Sequence, residues 1–362
     1  MQNGRQGRHE SQITEPTVEV PRKTGGHVVG HILSFIGVTL LCVVLILFGV
    51  IFVMERGNSP TLTRMFVSSM RETSALRWIA PLFLTEDELA GYLLTNTGDV
   101  ETEEVNTSLI RVADARAISN AEENVEVVDI AFGNARGKML IVKDRKSVIL
   151  GTSGAFGRDP GLLLTDMVAK YDGVGGINAG GFVDNNGLGN GGTPQGLVIE
   201  DGQLIYGNPD ARYAVVGLDN DGILIVGNMR GKEALAKGVR WGVSFTTHDG
   251  VASSLIINGQ VQTQDLGAGI NPRTAIGQRE DGTLLLLCLD GRSFDTFGAT
   301  VEDVCNIMLQ YGAINAGNLD GGSSSTMVYG GEIINNCASV TGPRRIPTGF
   351  IVLKEAYGDG QA

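Results

Sequence analysis

The tetrapeptide Ile177-Asn178-Ala179-Gly180 recurs as Ile314-Asn315-Ala316-Gly317, and each copy runs into a glycine-rich segment that carries an aspartate. The first continues Gly181-Phe182-Val183-Asp184, the second Asn318-Leu319-Asp320-Gly321-Gly322-Ser323-Ser324-Ser325-Thr326. Glycines at Gly180, Gly181, Gly321 and Gly322 let the backbone come close to a ligand, and free N–H groups with hydroxyls such as that of Ser324 can bind phosphate oxygens. The same residues also read as two tight strand-to-loop turns in which Asn and Asp cap their own backbone. The Gly-Lys-Ser/Thr ending of a Walker phosphate loop is missing. A second cluster flanks one strand pair: Arg273-Thr274 precedes the hairpin signal Asp281-Gly282, and Asp290-Gly291-Arg292 follows it. Arginine is the natural fork for a phosphodiester, although either arginine alone also reads as a solvated surface charge. Of His9, His27, His31 and His248 only the last falls within the strand-rich part of the chain, beside the turn Asp249-Gly250. Acid–base work therefore falls to carboxylates. No multi-histidine metal site and no EF-hand spacing occur, so no metal or other cofactor is expected.

These residues must be positioned by strands. From Val125 onward, short β-branched or leucine-rich runs recur at Lys138–Val142, Gly196–Ile199, Ile223–Val226, Ser254–Ile257 and Thr283–Leu287. Asp201-Gly202, Asp221-Gly222 and Asp281-Gly282 are hairpin-type turns leading into strands. Two helices interrupt the pattern. One is expected over Thr165–Tyr171, the other over Val301–Tyr311, with Thr300 as N-cap and Asp303 at the capping-box position. The 52 glycines among 362 residues exceed the usual share of about 7% and lack a Gly-X-Y period. They fit a chain rich in strands and tight turns. The expected fold class is α+β: a mixed, largely antiparallel sheet with a few packed helices, preceded by one N-terminal transmembrane helix.

The net charge of −12 argues against broad nucleic-acid binding. Ile32 to Met54 runs without a charge, long enough to cross a bilayer and too long for the apolar core of a cleaved signal peptide. Arg5, Arg8, Arg22 and Lys23 precede it, whereas Glu55 and Arg56 nearly cancel after it, so the N-terminus is expected in the cytoplasm. Residues 1–27 then form a disordered cytoplasmic tail, 28–56 a signal-anchor that tethers the chain to the cell membrane in a single pass, and 57–124 an extracytoplasmic stalk and linker. Within the stalk, Thr85-Glu86-Asp87-Glu88 reads as a capping box. Cys288 reads as a buried free thiol, and nothing in the spacing of Cys305 and Cys337 demands a pair.

Asn178-Ala179-Gly180-Gly181-Phe182, Arg273-Thr274-Ala275-Ile276-Gly277, Asp290-Gly291 and Asn318-Leu319-Asp320-Gly321-Gly322 stand in the order seen in the phosphodiester glycosidase family, which the chain resembles over about Val125–Leu353. The extracytoplasmic domain is thus expected over 125–356. Arg345, near the C-terminal strand, also fits the pattern. One departure is Ser323, where the family usually has a third glycine; a positive φ there would cost serine energy. The resemblance implies hydrolysis of a sugar-1-phosphodiester, N-acetylglucosamine among the sugars, of a cell-envelope or exopolysaccharide glycan.

The residues fit that chemistry. A phosphodiester leaving group is already acidic and needs little protonation. What remains is a carboxylate to serve an oxocarbenium-like centre or activate water, with cations and N–H donors to hold the departing phosphate. On the resemblance Asp320 is the expected nucleophile or base, with Asp290 and Asp184 as reserve carboxylates. Arg273, Arg292 and Arg345 would clamp phosphate. Asn178, Asn318 and Ser324, with Thr274 and the four glycines, would line the substrate site. The competing reading is a non-catalytic envelope module that binds anionic polysaccharide in the same pocket.

Overall fold

The computed structural model describes residues 25–73, 76–92, 103–111, 124–184, 189–245, 253–262, 269–339 and 342–355. The expected tail up to residue 24, residues 74–75, 93–102 and 112–123 of the expected stalk and linker, and His248 lie outside the described residues. The first helix, α1 (Gly25–Arg56), contains the span Val29–Arg56, long and apolar enough to cross a membrane. Residues up to Ile51 form one compact unit and those from Phe52 a second.

In chain order the second unit holds α2 (Pro60–Glu72), α3 (Glu86–Tyr92), β1 (Val125–Phe132), β2 (Ala135–Val142), β3 (Val148–Thr152), α4 (Leu164–Lys170), β4 (Gly173–Asn178), β5 (Val198–Glu200), β6 (Gln203–Tyr206), β7 (Arg212–Asp219), β8 (Leu224–Arg230), α5 (Gly231–Ala236), β9 (Val239–Ser244), β10 (Ser254–Ile257), β11 (Gln260–Val261), β12 (Arg273–Arg279), β13 (Leu284–Leu289), α6 (Val301–Gln310), β14 (Ala313–Asn318), β15 (Met327–Tyr329), β16 (Glu332–Ile333) and β17 (Thr348–Leu353). They build three sheets, in the orders β1-β2-β13-β12-β14-β10-β11, β16-β15-β4-β17-β3 and β6-β5-β9-β7-β8. The fold is α+β, and every strand pairing among the described residues is antiparallel.

Local chemistry explains the elements. Thr300 accepts from the Asp303 amide at 3.1 Å while Asp303 accepts from the Thr300 amide at 2.8 Å, the capping box that starts α6. Val304, Ile307 and Met308 then recur at helical spacing and are buried against the seven-stranded sheet. Thr85 and Glu88 cap α3 in the same way. Asp201 and Gly202 both take positive φ, +49° and +74°, which joins β5 to β6 in a two-residue turn. Leu140, Leu286, Ile276, Ile177 and Phe350 pack into one core shared by the sheets. Cys288 and Cys305 are buried, and neither they nor Cys337 form a disulfide.

Each copy of the repeated tetrapeptide lies in a helix–turn–strand unit, α4 into β4 and α6 into β14. The joints sit at left-handed residues, Asp172 (φ +51°) and Gly312 (φ +82°). Both strands are interior to their sheets, β4 between β15 and β17 and β14 between β12 and β10. Their C-terminal ends meet: the Asp320 amide donates to the Ala179 carbonyl at 2.9 Å. The fold thus brings the two glycine-rich, aspartate-bearing segments together.

Candidate active site

Asp320 lies on the loop leaving β14, and that loop is fixed from three sides. The Leu319 amide donates to Thr274 O, the Asp320 amide to Ala179 O, and the Gly322 amide to Pro272 O. Asn178, at the end of β4, completes the lock. Its Nδ2 donates to the Asp320 carbonyl at 2.6 Å, while its Oδ1 accepts from Thr274 Oγ1 at 2.9 Å and from the Thr326 amide at 3.0 Å. Asn178 is buried and both ends of its amide are engaged, so it shapes the loop rather than reaching substrate. Thr274 Oγ1 also touches Ser325 Oγ at 3.2 Å.

The Asp320 carboxyl accepts from Ser324 Oγ and from the Gly321 amide, with Asp184 and Arg344 as its charged neighbours. Burial, and then the negative charge of Asp184, push it up from the ordinary 3.8 to about 7, against the pull of Ser324, Arg344 and Gly321. Asp184 pairs with Arg344 Nη2; Arg344 Nη1 donates to Ser323 Oγ at 3.2 Å, and the guanidinium lies over the Phe182 ring at 5.2 Å. Two carboxylates, one arginine and the Ser323 and Ser324 hydroxyls therefore form one cluster. Such a cluster can move a proton at neutral pH and hold an anion beside it.

The glycines around it are needed for space. A Cβ on Gly321 would meet Pro272 O at 2.7 Å, and one on Gly180 would meet Val243 Cβ at 3.0 Å. The Gly180 amide donates to Thr348 Oγ1 at 3.1 Å, and a Cβ on Gly181 would press on Phe245 at 3.2 Å. The positive φ falls on Gly322 (+63°) and not on Ser323, so serine carries no backbone strain at the position where it departs from the family. Its hydroxyl instead serves Arg344.

Among the other expected residues, Arg273, Thr274, Arg292, Asp290 and Arg345 are each held by partners outside the Asp320–Asp184–Arg344 cluster. Arg273 and Thr274 are consecutive on β12, so their side chains leave opposite faces. Thr274 turns to Asn178. Arg273 is buried and spent on Glu72 Oε2 (2.9 Å), Gly269 O (2.5 Å) and Ala299 O (3.2 Å). Asn271 Nδ2 donates to the same Glu72 oxygen at 2.5 Å. Burial pushes the Glu72 carboxyl up, against the pull of Arg273. Arg273 thus ties the α2 stalk to the domain, and a phosphate would have to displace Glu72 to reach it. Arg292 Nη2 donates to Thr73 Oγ1 at 2.7 Å and Asn271 Oδ1 at 3.1 Å, and lies 3.7 Å from where a Cβ on Gly322 would stand. It borders the Asp320 loop. Asp290 accepts from the Asn336 amide at 2.9 Å and Asn335 Nδ2 at 3.3 Å, anchoring the loop after β16. Burial raises its carboxyl also. Arg345 donates to Gly161 O at 3.2 Å. The Asn318 side chain is buried, and its Oδ1 and Nδ2 meet no partner among the described residues.

Residues 171–353 match the family profile described as phosphodiester glycosidase. The chain belongs to the phosphodiester glycosidase family. Among its relatives, the SPbeta prophage-derived uncharacterized protein YomE of Bacillus subtilis is 36% identical over 193 residues, covering 51% of this chain and 29% of that protein. The N-acetylglucosamine-1-phosphodiester alpha-N-acetylglucosaminidase of Mus musculus is 27% identical over 164 residues, 38% of this chain and 29% of that one. The chain thus spans less than a third of the length of these curated relatives. The fold is shared with the zebrafish N-acetylglucosamine-1-phosphodiester alpha-N-acetylglucosaminidase catalytic domain, solved auto-inhibited by its pro-peptide, at a TM-score of 0.54 and 21% identity, over 73% of this chain and 91% of that one.

Two residues that the structure brings into these clusters carry little signal in the sequence. Arg344 is one position from the arginine that fits the family pattern, and only its facing distinguishes it from Arg345. Glu72 is some 200 residues from Arg273 in sequence, and its only trace there is a charge at the end of an amphipathic run.

Proposed function

We propose that the chain is a membrane-anchored glycosidase that hydrolyses a sugar-1-phosphodiester on the extracytoplasmic side, with N-acetylglucosamine as the sugar. The observation that carries this reading is the Asp320 carboxyl, raised to about 7 by burial and by Asp184, on a loop locked by Asn178 and next to the Arg344–Asp184 pair.

In the proposed reaction Asp320 takes a proton from the attacking water. A base with a pKa near the working pH is well matched to that task. Arg344, with the Ser323 hydroxyl, receives the phosphate as the C1–O bond lengthens and negative charge collects on the leaving group. Asp184 holds the guanidinium in place over Phe182 and keeps the proton affinity of Asp320 high. Arg292, bordering Gly322, adds positive potential at the edge of the site. Asn178 and Thr274 act one step back, by fixing the loop. Asp290 holds the loop over residues 335–337 and stays outside the chemistry.

The test is release of free N-acetylglucosamine from its methyl phosphodiester by the detergent-solubilised chain. Asp320→Asn should lower turnover by about 10²–10⁴-fold, the usual worth of a general base, while the variant stays folded. Binding of anionic polysaccharide with no turnover by the parent would make the chain a binding module.

A further inference from the structure

Arg292, in the segment between β13 and α6, holds a left-handed backbone (φ +57°) that a residue with a Cβ adopts only at a cost. Its side chain has a defined place. Nη2 donates to Thr73 Oγ1 at 2.7 Å and to Asn271 Oδ1 at 3.1 Å, and the same nitrogen stands 3.7 Å from where a Cβ on Gly322 would lie. Nε and Nη1 have no hydrogen-bond partner among the described residues, and Arg292 is exposed. Nη2 therefore fixes the guanidinium, and its other N–H donors are free to take the oxygens of a ligand. Arg344 Nη1 donates to Ser323 Oγ at 3.2 Å. Two arginines thus border the consecutive residues Gly322 and Ser323, on the turn that follows Asp320.

One anchor of Arg292 lies in the stalk. Thr73 caps the C-terminal end of α2. Its hydroxyl proton goes to the Ser69 carbonyl at 2.9 Å, which leaves the oxygen to accept from Arg292. Helix α2 is itself held on the segment that leads into β12. Ser69 Oγ accepts from the Ile270 amide at 2.9 Å, and a Cβ on Gly269 would run into the Ser69 backbone. Glu72 fixes the other anchor. It accepts from Asn271 Nδ2 at 2.5 Å, which leaves Asn271 Oδ1 to Arg292, and its charge is met by Arg273 at 2.9 Å. The end of α2 therefore sets both acceptors that hold Arg292 beside the Asp320 loop.

We propose that Arg292 is the second arm of the phosphate clamp, beside Arg344, and that Thr73 is a positioning residue for it, so that the stalk completes the active site as well as tethering it. This deepens the glycosidase reading above and rests on it. The phosphodiester carries one negative charge, and its leaving group gains a second as the C1–O bond breaks. Arg344 is already paired with Asp184, so it cannot match that charge alone. Arg292, whose partners Thr73 and Asn271 are neutral, supplies the rest.

The experiment uses the detergent-solubilised full chain, with N-acetylglucosamine-1-phosphomethyl ester as substrate and inorganic phosphate as ligand. Arg292→Gln should lower kcat/KM by about tenfold or more and Thr73→Val by about fivefold, while both stay folded; Thr73→Ala takes the place of valine if that variant does not fold. Because the hydroxyl acts through the arginine, the double variant should be no worse than Arg292→Gln alone. Thr73→Ser, which keeps the hydroxyl, should recover most of the loss. The dissociation constant of phosphate, measured by calorimetry, should rise in both single variants. A folded Thr73→Val with the kcat/KM of the parent, or losses that multiply in the double variant, overturns the proposal. If the parent cleaves no sugar-1-phosphodiester, the reading of the reaction fails, and phosphate binding decides the clamp by itself. Binding weakened in Arg292→Gln and Thr73→Val alike supports it. Phosphate that does not bind the parent, or that binds Thr73→Val equally tightly, refutes it.

Discussion

Asp320→Asn should make the protein more resistant to heat at alkaline pH than at acidic pH, relative to the parent. The rise of the Asp320 carboxyl from 3.8 to about 7 means that the folded state holds this proton more tightly than the unfolded chain does. Its stabilising effect is complete below about pH 4 and is lost as the pH rises through about 7. At about 1.36 kcal/mol per pH unit, the difference of about 3 units sets a ceiling of roughly 4 kcal/mol. Asp320 is only partly shielded from solvent, and relaxation around the charge brings the expected effect to ~1–2 kcal/mol. Asparagine carries no proton to lose, so its stability should not follow this course. The assay is thermal unfolding of both proteins at pH 5 and pH 8.5, read as a difference of differences, which cancels any fixed cost of changing the bonds to Ser324 and Gly321. At ~2–4 °C per kcal/mol for a domain of this size, the melting advantage of the variant should grow by roughly 2–8 °C between the two conditions. A gap that does not change with pH would mean that the Asp320 carboxyl is not desolvated, and the argument for its role as base would fall with it.

Arg344→Lys keeps the charge but loses the fork between Asp184 and Ser323, so kcat/KM should drop at least tenfold, given ~1.5–3 kcal/mol for a charge-assisted bond; Arg345→Lys, measured beside it, should leave kcat/KM within about twofold. Glu72→Ala strands the buried Arg273 guanidinium and should cost about 3–5 kcal/mol, seen as a melting temperature lower by roughly 10 °C; a melting temperature within a degree of the parent would show that the Glu72–Arg273 pair does not hold the stalk. Arg273→Lys should likewise act on stability, with turnover of the folded fraction retained. An introduced Ser59→Cys should react with a membrane-impermeant thiol reagent in intact cells and Ser11→Cys should not; the reverse pattern would invert the topology.

The signals that were legible in the sequence are local ones. The capping boxes at Thr85 and Thr300 depend on residues three apart, and the turn at Asp201-Gly202 depends on two adjacent backbone angles, so pattern alone finds them. The repeated Ile-Asn-Ala-Gly segments pointed to a pair of equivalent turns, and the fold makes them neighbours at the ends of β4 and β14. What pattern could not supply is facing. Thr274 and Arg273 form one motif in sequence, yet pleating sends them to opposite sides of the sheet, one to the Asp320 loop and the other to Glu72. Arg344 and Arg345 differ in the same way, and no periodicity marks the segment before β17. Asp290 reads as a site carboxylate from its position after β13, but the amides it serves belong to residues 335 and 336, which only the folded chain brings near.

The central claim is that water attacks the sugar carbon and not phosphorus. Turnover of N-acetylglucosamine-1-phosphomethyl ester in ¹⁸O-labelled water, followed by mass spectrometry of both products, tests it most directly. The account predicts the label in the C1 hydroxyl of the released N-acetylglucosamine, none in methyl phosphate, and loss of the labelled sugar in Asp320→Asn. Label in the phosphate product would make the chain a phosphodiesterase acting at phosphorus and would contradict the roles of Asp320 as base and Arg344 as phosphate clamp.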